Sequence, residues 1–353
     1  MALYFSTSQD KYLLSTASTA EGVQVDIEFL NEGGANAVFA FKVSDRHGTA
    51  SASNAVLPDR GYITNNLENL LLRVRKSVPH ALYAESFLSA FEEHFGDIFT
   101  PAEVVNCRLI TLGSGACSVL NRALVAGREK KRAIGGVHLQ KGHGKQMGRD
   151  VMIDDEEKQA LIMPNLTPPG GKWVNFKPKW LQQSPDAPAN ANRCRTCALR
   201  ALRENFHGRP GKGQFCPLSL VSKDLSERLR AAEALTPDKD LQNATVHSAQ
   251  HLINKLAHWQ GVYDKDGILG ITRGSLGQME REEKTQNLCK AMTLRDCTLY
   301  ILLPETGPKD IEVRLGDLDL KLPTRLDEWD STEWSLQCGG WYEGPETICA
   351  LSR

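Results

Sequence analysis

The chain has 353 residues, 41% of them hydrophobic and 24% charged, which is typical of a globular protein with more than one simple core. A formal net charge of −1 excludes a general basic field for nucleic acid, and the longest apolar runs are too short for a membrane span. Nine cysteines in a chain without a signal-like start do not indicate a disulfide framework. We therefore expect a protein of the nucleus and/or cytoplasm, with no membrane or nucleic-acid partner.

Strands are predicted to dominate the first half of the chain. Residues 23–43 alternate as two strands around the turn NEGGAN, whose adjacent glycines would let backbone N–H groups approach a polyphosphate. Two neighbouring glycines alone more often form a simple turn. The basic strand LLLRVRK at 70–76 favours a phosphate site, because it supplies the cations that such a site needs. Residues 127–159 are charged and predict a mobile basic insertion.

The pattern changes at WVNFKPKW, residues 173–180. Pro178 cannot donate to a sheet, and Lys177 and Lys179 resist burial, so a strand that ends beside an anionic ligand explains the motif. Predicted helices follow, with further strands at 297–304 and 311–321. The sequence therefore predicts a mixed α/β (α+β) fold of two lobes.

Carboxylates at predicted strand ends are candidates for a Mg²⁺ site. Asp296 precedes one strand, while Asp317 and Asp319 would share a face of the next, because strand side chains alternate. Each aspartate taken alone is as well explained by a helix cap or an exposed position. An anion clamp would combine the following cations: Lys177, Lys179, Arg193, Arg195, Lys321 and Arg325.

A cysteine-rich tract raises a different possibility. Cys194, Cys197, His207 and Cys216 match the residue types of a tetrahedral zinc site, and Cys-x-x-Cys is a suitable opening. The helical pattern that follows is unlike a zinc knuckle, so buried core cysteines are the competing interpretation. A zinc-stabilised nucleic-acid-binding module is the alternative function that this tract keeps open.

Seven motifs, in order along nearly the whole chain, resemble the inositol-pentakisphosphate 2-kinases, particularly their fungal-type branch. They are EGGAN at 32–36, LLRVRK at 71–76, FKPKW at 176–180, RCRTC at 193–197, FCPLSL at 215–220, MTLRDCTLYI at 292–301 and DLDLK at 317–321. The resemblance implies a two-lobed inositol-polyphosphate-kinase-like fold with ATP in the cleft between the lobes. It implies a nucleotide-binding lobe at 1–168 and an inositol-phosphate- and metal-binding lobe at 169–353.

The implied activity is Mg²⁺-dependent transfer of the ATP γ-phosphate to the 2-hydroxyl of inositol 1,3,4,5,6-pentakisphosphate, giving inositol hexakisphosphate (phytate). We expect a monomer, although the sequence itself does not determine the oligomeric state. By resemblance, Asp296 and Lys177 are catalytic, and Asp296 and Asp317 bind Mg²⁺. The remaining roles implied by the resemblance are nucleotide binding by Gly33, Gly34, Ala35, Asn36, Arg73, Met163, Asn165 and Asn175, and inositol-phosphate binding by Arg132, Lys177, Lys179, Arg193, Lys321 and Arg325.

Two positions depart from the family pattern. Asn175 stands where relatives carry an acidic residue that would bind ribose, and Cys197 stands where plant and animal members carry a histidine. These departures leave an alternative hypothesis, in which the fold is retained but the substrate is another inositol phosphate or activity is lost.

Overall fold

The chain divides into two units in the structure, which is a computed structural model. The described residues are 3–8, 11–16, 23–43, 69–79, 81–134, 150–167, 170–207, 215–344 and 348–352. The first unit comprises Met1–Glu93 and Val105–Leu166, and the second comprises His94–Val104 and Thr167–Arg353. Helices accompany mainly antiparallel strands in both units, which confirms the predicted α+β class.

Seven strands close a barrel in the first unit. In chain order they are β1 Leu3–Ser8, β2 Lys11–Thr16, β3 Val23–Glu32, β4 Asn36–Val43, β5 Leu70–Arg75, β6 Arg108–Leu112 and β7 Gln159–Pro164. They are arranged in the order β1-β2-β3-β4-β5-β7-β6, and parallel pairing of β1 with β6 closes the ring. The other neighbours pair antiparallel, so the predicted hairpin at 23–43 is confirmed as β3 and β4.

Two helices belong to this part of the chain, α1 Ala84–Phe95 and α2 Ala116–Ile134. Helix α2 approaches β3 at Gly127, where an added β-carbon would collide with the side chain of Phe29. The Phe29 ring in turn meets Phe39 edge to face, with centroids 6.0 Å apart. Residues 127–134 of the predicted insertion continue α2, while 135–149 lie outside the described residues.

The second unit contains a three-stranded antiparallel sheet with the order β10-β9-β8. Its strands are β8 Lys172–Phe176, β9 Thr298–Leu303 and β10 Glu312–Gly316. The central strand β9 has five buried residues of six, as its apolar sequence TLYILL predicts. The carboxyl ends of β8 and β10 and the start of β9 lie at one edge, because Phe176 pairs with Leu299 and Gly316 pairs with Thr298.

Helices supply the rest of the second unit. They are α3 Arg195–His207, α4 Pro217–Leu220, α5 Leu225–Leu235, α6 Lys239–Val246, α7 Gln250–Tyr263, α8 Gly267–Arg273, α9 Gln278–Leu294 and α10 Leu326–Cys338. Trp180, Ile268, Leu288 and Trp329 pack into one of its hydrophobic clusters. Among the described residues, none of the helices is both long and apolar enough to cross a membrane.

Candidate functional site

The segment after β8 turns two lysines toward one carboxylate. Strand β8 ends at Phe176, so Lys177 and Lys179 lie beyond it, on either side of the buried Pro178. Lys179 has a φ of 64°, a left-handed conformation that is uncommon for residues with a β-carbon. Alternation along a continued strand would place the two lysines on one face. The side chains do converge, but a backbone turn brings them together.

Asp296 is the point of convergence. It follows α9, and its N–H donates to the carbonyl of Thr293 at 3.0 Å. Lys321 Nζ lies 2.8 Å from its Oδ2, and the Nζ atoms of Lys177 and Lys179 lie 3.4 and 3.3 Å from its Oδ1. The Lys177 ammonium also donates to the Asp296 backbone carbonyl. Three predicted phosphate-binding lysines thus meet at the predicted catalytic aspartate.

Asp317 joins this group from the end of β10. Its Oδ2 accepts a hydrogen bond from Thr298 Oγ1 at 2.6 Å and lies 3.9 Å from Lys177 Nζ. The predicted strand at 311–321 stops at Gly316, and Asp317 has a φ of 56°. The expectation that Asp317 and Asp319 share a strand face is therefore wrong, because the chain leaves the strand before Asp317. We call Lys177, Lys179, Lys321, Asp296 and Asp317 the lysine cluster.

The charges of the lysine cluster are unequal. Burial of the Asp296 carboxylate would by itself raise its pKa, but the ammoniums of Lys321, Lys177 and Lys179 hold that pKa well below its usual range. Within the described ion pairs of the lysine cluster, three ammoniums face two carboxylates, which leaves one positive charge in excess. Because these side chains are 25–46% exposed, an incoming phosphate can reach them.

A buried glutamine that the sequence did not predict holds the backbone beneath the lysine cluster. Gln260, on α7, donates from Nε2 to the carbonyls of Lys179 and Leu294 at 2.9 and 3.2 Å. Its Oε1 accepts from the N–H of Leu181 at 2.9 Å. One fully buried amide therefore fixes the segments that carry Lys179 and Asp296. A single glutamine within an amphipathic helix gives no sequence signal for this role.

Buried ions form a second group, which we call the buried network: Asp264, Arg295, Trp180, Arg195 and Glu333. Arg295 lies 2.7 Å from Asp264 and 3.4 Å from the Trp180 ring centroid. Arg195 lies 2.7 Å from Glu333 and 4.2 Å from the same ring. This corrects the predicted clamp, because the Arg195 guanidinium is neutralised inside the protein.

Three other predicted residues of the second unit lie elsewhere. The Arg193 guanidinium donates to the carbonyls of Trp341 and Glu343 at 3.4 and 3.2 Å, and the residue is 8% exposed. Arg325 precedes α10 and lies 2.7 Å from Glu328. Asn175 is exposed on β8 and pairs with Tyr300 in the sheet. The described contacts give these three residues no direct link to Asp296, so their roles stay predictions.

The Gly-rich turn of the first unit has space around it. The Gly33 N–H donates to the Asn36 carbonyl at 2.8 Å, and the Lys76 N–H donates to the Ala35 carbonyl at 2.8 Å. A β-carbon added at Gly33 or Gly34 would meet no atom within 4 Å. Neither glycine has a left-handed φ. Neither packing nor backbone conformation within the described chain therefore requires glycine at these two positions.

An ion network fixes this turn, and the sequence did not predict it. Glu32 accepts two hydrogen bonds from Arg128, at 2.8 and 2.7 Å, and one from the buried ammonium of Lys76 at 2.9 Å. Burial opposes ionisation, yet Arg128 and Lys76 lower the pKa of Glu32. The carboxylate thus ties β3 to β5 and α2.

The other predicted residues of the first unit occupy distinct places. Arg73 is buried on β5, with its guanidinium 5.0 Å from the Phe87 ring centroid. Arg132 is exposed on α2 and lies 3.4 Å from Asp150. Met163 is on β7, and Asn165 follows that strand. The structure brings none of these side chains into a described contact with the Gly-rich turn.

Three of the four predicted zinc ligands come together. Cys194, Cys197 and Cys216 are buried, and the sulfur of Cys349 joins theirs. His207 ends α3, and its side chain lies outside the described residues. Cys349 was missed because it lies 133 positions after Cys216, with no local spacing to connect them.

Comparison with known proteins agrees with the resemblance. The family model for inositol-pentakisphosphate 2-kinase matches residues 29–266 and 249–334. A curated inositol-pentakisphosphate 2-kinase of Yarrowia lipolytica (strain CLIB 122 / E 150) is 35% identical over 182 residues. This alignment covers 50% of the chain and 56% of the relative, so it spans little more than half of that protein.

Proposed function

The chain belongs to the inositol-pentakisphosphate 2-kinase family, and we propose that it phosphorylates the 2-hydroxyl of inositol 1,3,4,5,6-pentakisphosphate with ATP. The product is inositol hexakisphosphate. The observation that carries the proposal is the lysine cluster, in which Lys177, Lys179 and Lys321 surround Asp296. A polyphosphorylated acceptor needs such an excess of positive charge, because its phosphates must lose water and gain cations on binding.

The ammoniums of Lys179 and Lys321 can exchange Asp296 for the phosphates of the acceptor as their partner. In the described arrangement both lie within 3.3 Å of Asp296. Phosphates of the acceptor would compete for these ammoniums and draw them partly away from the carboxylate. The acceptor would thereby be held beside Asp296, and holding reactants in line contributes much of the catalysis of phosphoryl transfer.

The low pKa of Asp296 favours one role over another. In the ligand-free protein the three ammoniums lower the pKa of Asp296, and a carboxylate with a lowered pKa is a weak base. Phosphoryl transfer passes through a loose transition state, which needs the hydroxyl oriented more than deprotonated. We infer that Asp296 orients the acceptor hydroxyl, while Lys177 neutralises the transferring phosphate.

The donor set at the lysine cluster fits Mg²⁺. Lys177 Nζ lies 3.4 Å from an oxygen of Asp296 and 3.9 Å from an oxygen of Asp317, so both carboxylates already face one cation. Carboxylate oxygens are the protein ligands that Mg²⁺ prefers beside substrate phosphates. Asp296 and Asp317 would hold the ion, and bound Mg²⁺ would neutralise charge on the β- and γ-phosphate oxygens of ATP.

For the first unit we propose nucleotide binding at the turn of Gly33, Gly34, Ala35 and Asn36. The support is the open space at Gly33 and Gly34, which serves no packing purpose within the described chain. Gly34→Ala should change the free energy of unfolding by less than about 1 kcal/mol. The same variant should raise the KM for ATP several-fold, because a methyl group would obstruct the phosphates. Urea denaturation and initial-rate kinetics measure the two effects, and an unchanged KM would contradict the role.

A kinase assay with a panel of inositol phosphates tests the proposal as a whole. The purified protein, ATP and Mg²⁺ are incubated with isomers that differ in the position of the free hydroxyl, and NMR locates the new phosphate. We expect phosphorylation at the 2-position of the pentakisphosphate. Asp296→Asn should lose at least about 100-fold in kcat while still binding the acceptor in calorimetry. Transfer to another position, or full turnover by Asp296→Asn, would overturn the assignment.

A further inference from the structure

Helix α9 ends at a buried threonine that contacts two separate segments of the lysine cluster. Thr293 is the penultimate residue of α9 and is fully buried. Its carbonyl accepts hydrogen bonds from the N–H groups of Asp296 and Cys297, each at 3.0 Å. Its Oγ1 accepts a hydrogen bond from the N–H of Lys321 at 2.9 Å. One residue therefore holds the backbone of a carboxylate and of a lysine whose side chains pair with each other.

The Thr293 hydroxyl is oriented by its own helix. Oγ1 donates to the carbonyl of Cys289, one turn earlier, at 2.8 Å. This bond to the preceding turn is common for threonine in helices, and it selects one side-chain rotamer. A hydroxyl has one hydrogen and two lone pairs, so the donated bond leaves it able to accept the Lys321 N–H. The carbonyl of Asp319 lies 3.4 Å from the same Oγ1, so the hydroxyl meets the 319–321 segment at two points.

The backbone of Lys321 lies outside regular secondary structure. Strand β10 ends at Gly316, and the short turn Pro323–Arg325 begins two residues after Lys321. The hydrogen bond to Thr293 therefore takes the place of a strand or helix partner for the Lys321 N–H. The lysine side chain is long and flexible, so the position of its backbone decides which groups its ammonium can reach. In this position the ammonium lies 2.8 Å from Oδ2 of Asp296.

We propose that Thr293 is a positioning residue, whose hydroxyl places Lys321 where its ammonium can bind a phosphate of the acceptor. This role rests on the proposed function of the lysine cluster. Asp296 depends on Thr293 only through a backbone carbonyl, which any residue at this position would supply. The hydroxyl acts on Lys321 alone within the lysine cluster. Its loss should therefore weaken binding of the inositol phosphate and leave binding of ATP unchanged.

Thr293→Val tests this asymmetry, because valine keeps the shape of threonine but cannot accept the Lys321 N–H. The KM for inositol pentakisphosphate should rise about 3- to 10-fold, as expected for one lost hydrogen bond, while the KM for ATP stays unchanged. Thr245→Val is the matched control. Thr245 is also a buried helix threonine that donates to the carbonyl four residues earlier, at 2.7 Å, but its described hydrogen bonds include no residue of the lysine cluster. It should keep both KM values. An unchanged KM in Thr293→Val, or the same rise in both variants, would overturn the proposal.

Two further variants separate positioning from packing. Thr293→Ser keeps the hydroxyl and loses a buried methyl group, so it should lower the Tm but keep a KM close to that of the wild type. Lys321→Met leaves no ammonium to position, so adding Thr293→Val to it should raise the KM for the inositol phosphate no further. The proposal fails if Thr293→Ser raises this KM as much as Thr293→Val does, or if the two changes multiply in the double variant.

Hydrogen exchange keeps the test decisive if Thr293→Val does not fold. In wild-type protein with isotope-labelled lysine, NMR should show that the Lys321 N–H exchanges far more slowly than a lysine amide in an unstructured peptide. Exchange at the unstructured rate would overturn the proposal without any variant and without a kinase assay. Failure of the proposed function would appear differently, as a wild type that phosphorylates no inositol phosphate.

Discussion

Adjacent residues of the chain belong to two groups that differ in exposure, the lysine cluster and the buried network. Lys179 reaches the half-exposed carboxylate of Asp296, while Trp180, the next residue, is buried between Arg195 and Arg295. In the same way Arg295 points inward to Asp264, and Asp296 points outward. The two groups therefore share their backbone segments but differ in exposure.

Their charges differ as well. The two guanidiniums of the buried network face two carboxylates, and these four side chains are 0–6% exposed. The lysine cluster is exposed and has one cation more than its carboxylates require. Removing one member of a balanced buried group is costly, because it leaves an uncompensated charge inside the protein. An unbalanced exposed group is available to a ligand, and this contrast predicts different consequences for mutations in each.

The largest loss of stability is expected when one charge of the buried network is removed. In the wild type the Gly267 N–H donates to Oδ1 of Asp264 at 3.0 Å. Asp264→Asn keeps an oxygen for this hydrogen bond but removes the charge opposite Arg295. The free energy of unfolding should fall by about 3–5 kcal/mol in urea denaturation. Glu233→Gln is the control, since the Glu233–Lys239 pair is exposed and its loss should cost less than about 1 kcal/mol. If Asp264→Asn and Glu233→Gln lowered the free energy of unfolding equally, buried and exposed ion pairs would not differ in their effect on stability, and the contrast would fail.

An intermediate loss is expected at Gln260, which connects the two groups. Gln260→Leu leaves the carbonyls of Lys179 and Leu294 and the N–H of Leu181 without this partner, so unfolding free energy should fall by about 1–3 kcal/mol.

The kinetic effect of Gln260→Leu separates positioning from stability. The KM for the inositol phosphate should rise with it, because the Lys179 backbone is released. Gln242→Leu is a matched control: Gln242 is also buried, but it donates to the Thr236 carbonyl at 2.9 Å and contacts no cluster residue in the described hydrogen bonds. It should lose comparable stability with an unchanged KM. The same KM change in both variants would show that Gln260 acts through stability alone.

A smaller effect on stability, which depends on pH in a definite direction, is expected at Asp186 beside the buried network. Burial and the Glu333 carboxylate raise the pKa of Asp186 to about 6, while its N–H partners at Leu269 and Ile268 lower it less. The folded protein thus binds more protons than the unfolded chain between roughly pH 4 and pH 6, so stability falls as pH rises through this range. Relative to wild type, Asp186→Asn should gain on the order of 1 kcal/mol between pH 4 and pH 7.

Asp296 should show the opposite sign. Its pKa is lowered in the folded protein, so its contribution is present above the unfolded pKa of about 4 and is lost only as pH falls further. Denaturation curves at a series of pH values separate the two carboxyls. A wild type and an Asp186→Asn variant with parallel pH profiles would rule out the raised pKa of Asp186.

The residues of the lysine cluster can be predicted from the sequence more readily than the backbone geometry that brings them together. Lys177, Lys179 and Asp296 stood out because charged residues interrupt apolar runs at strand ends. Their convergence depends on a left-handed residue at position 179, and alternation along a strand does not describe such a turn. Asp317 shows the same limitation, since β10 ends before it.

Long-range partners were the part that could not be predicted. Glu32 meets Arg128, 96 positions away, and Cys216 meets Cys349, 133 positions away. Local spacing carries no signal for either contact, because only the folded chain brings the partners together. The hairpin of β3 and β4 and the strand β5 were easier to predict, since apolar alternation between turn residues is a local property. The sequence did not lead us to predict β1, β2 or β6.

The smallest change in stability is expected in the lysine cluster itself, together with a large change in substrate binding. Lys321→Met removes a half-exposed ion pair of 2.8 Å to Asp296, so unfolding free energy should change by less than about 1 kcal/mol. The KM for the inositol phosphate should rise about 10- to 100-fold, the value of one charge-assisted hydrogen bond, with little change in the KM for ATP. Lys239→Met, at an exposed lysine paired with Glu233, should alter neither quantity. If Lys321→Met instead destabilised the fold as much as Asp264→Asn, the lysine cluster would be structural, and its excess charge would no longer indicate a ligand.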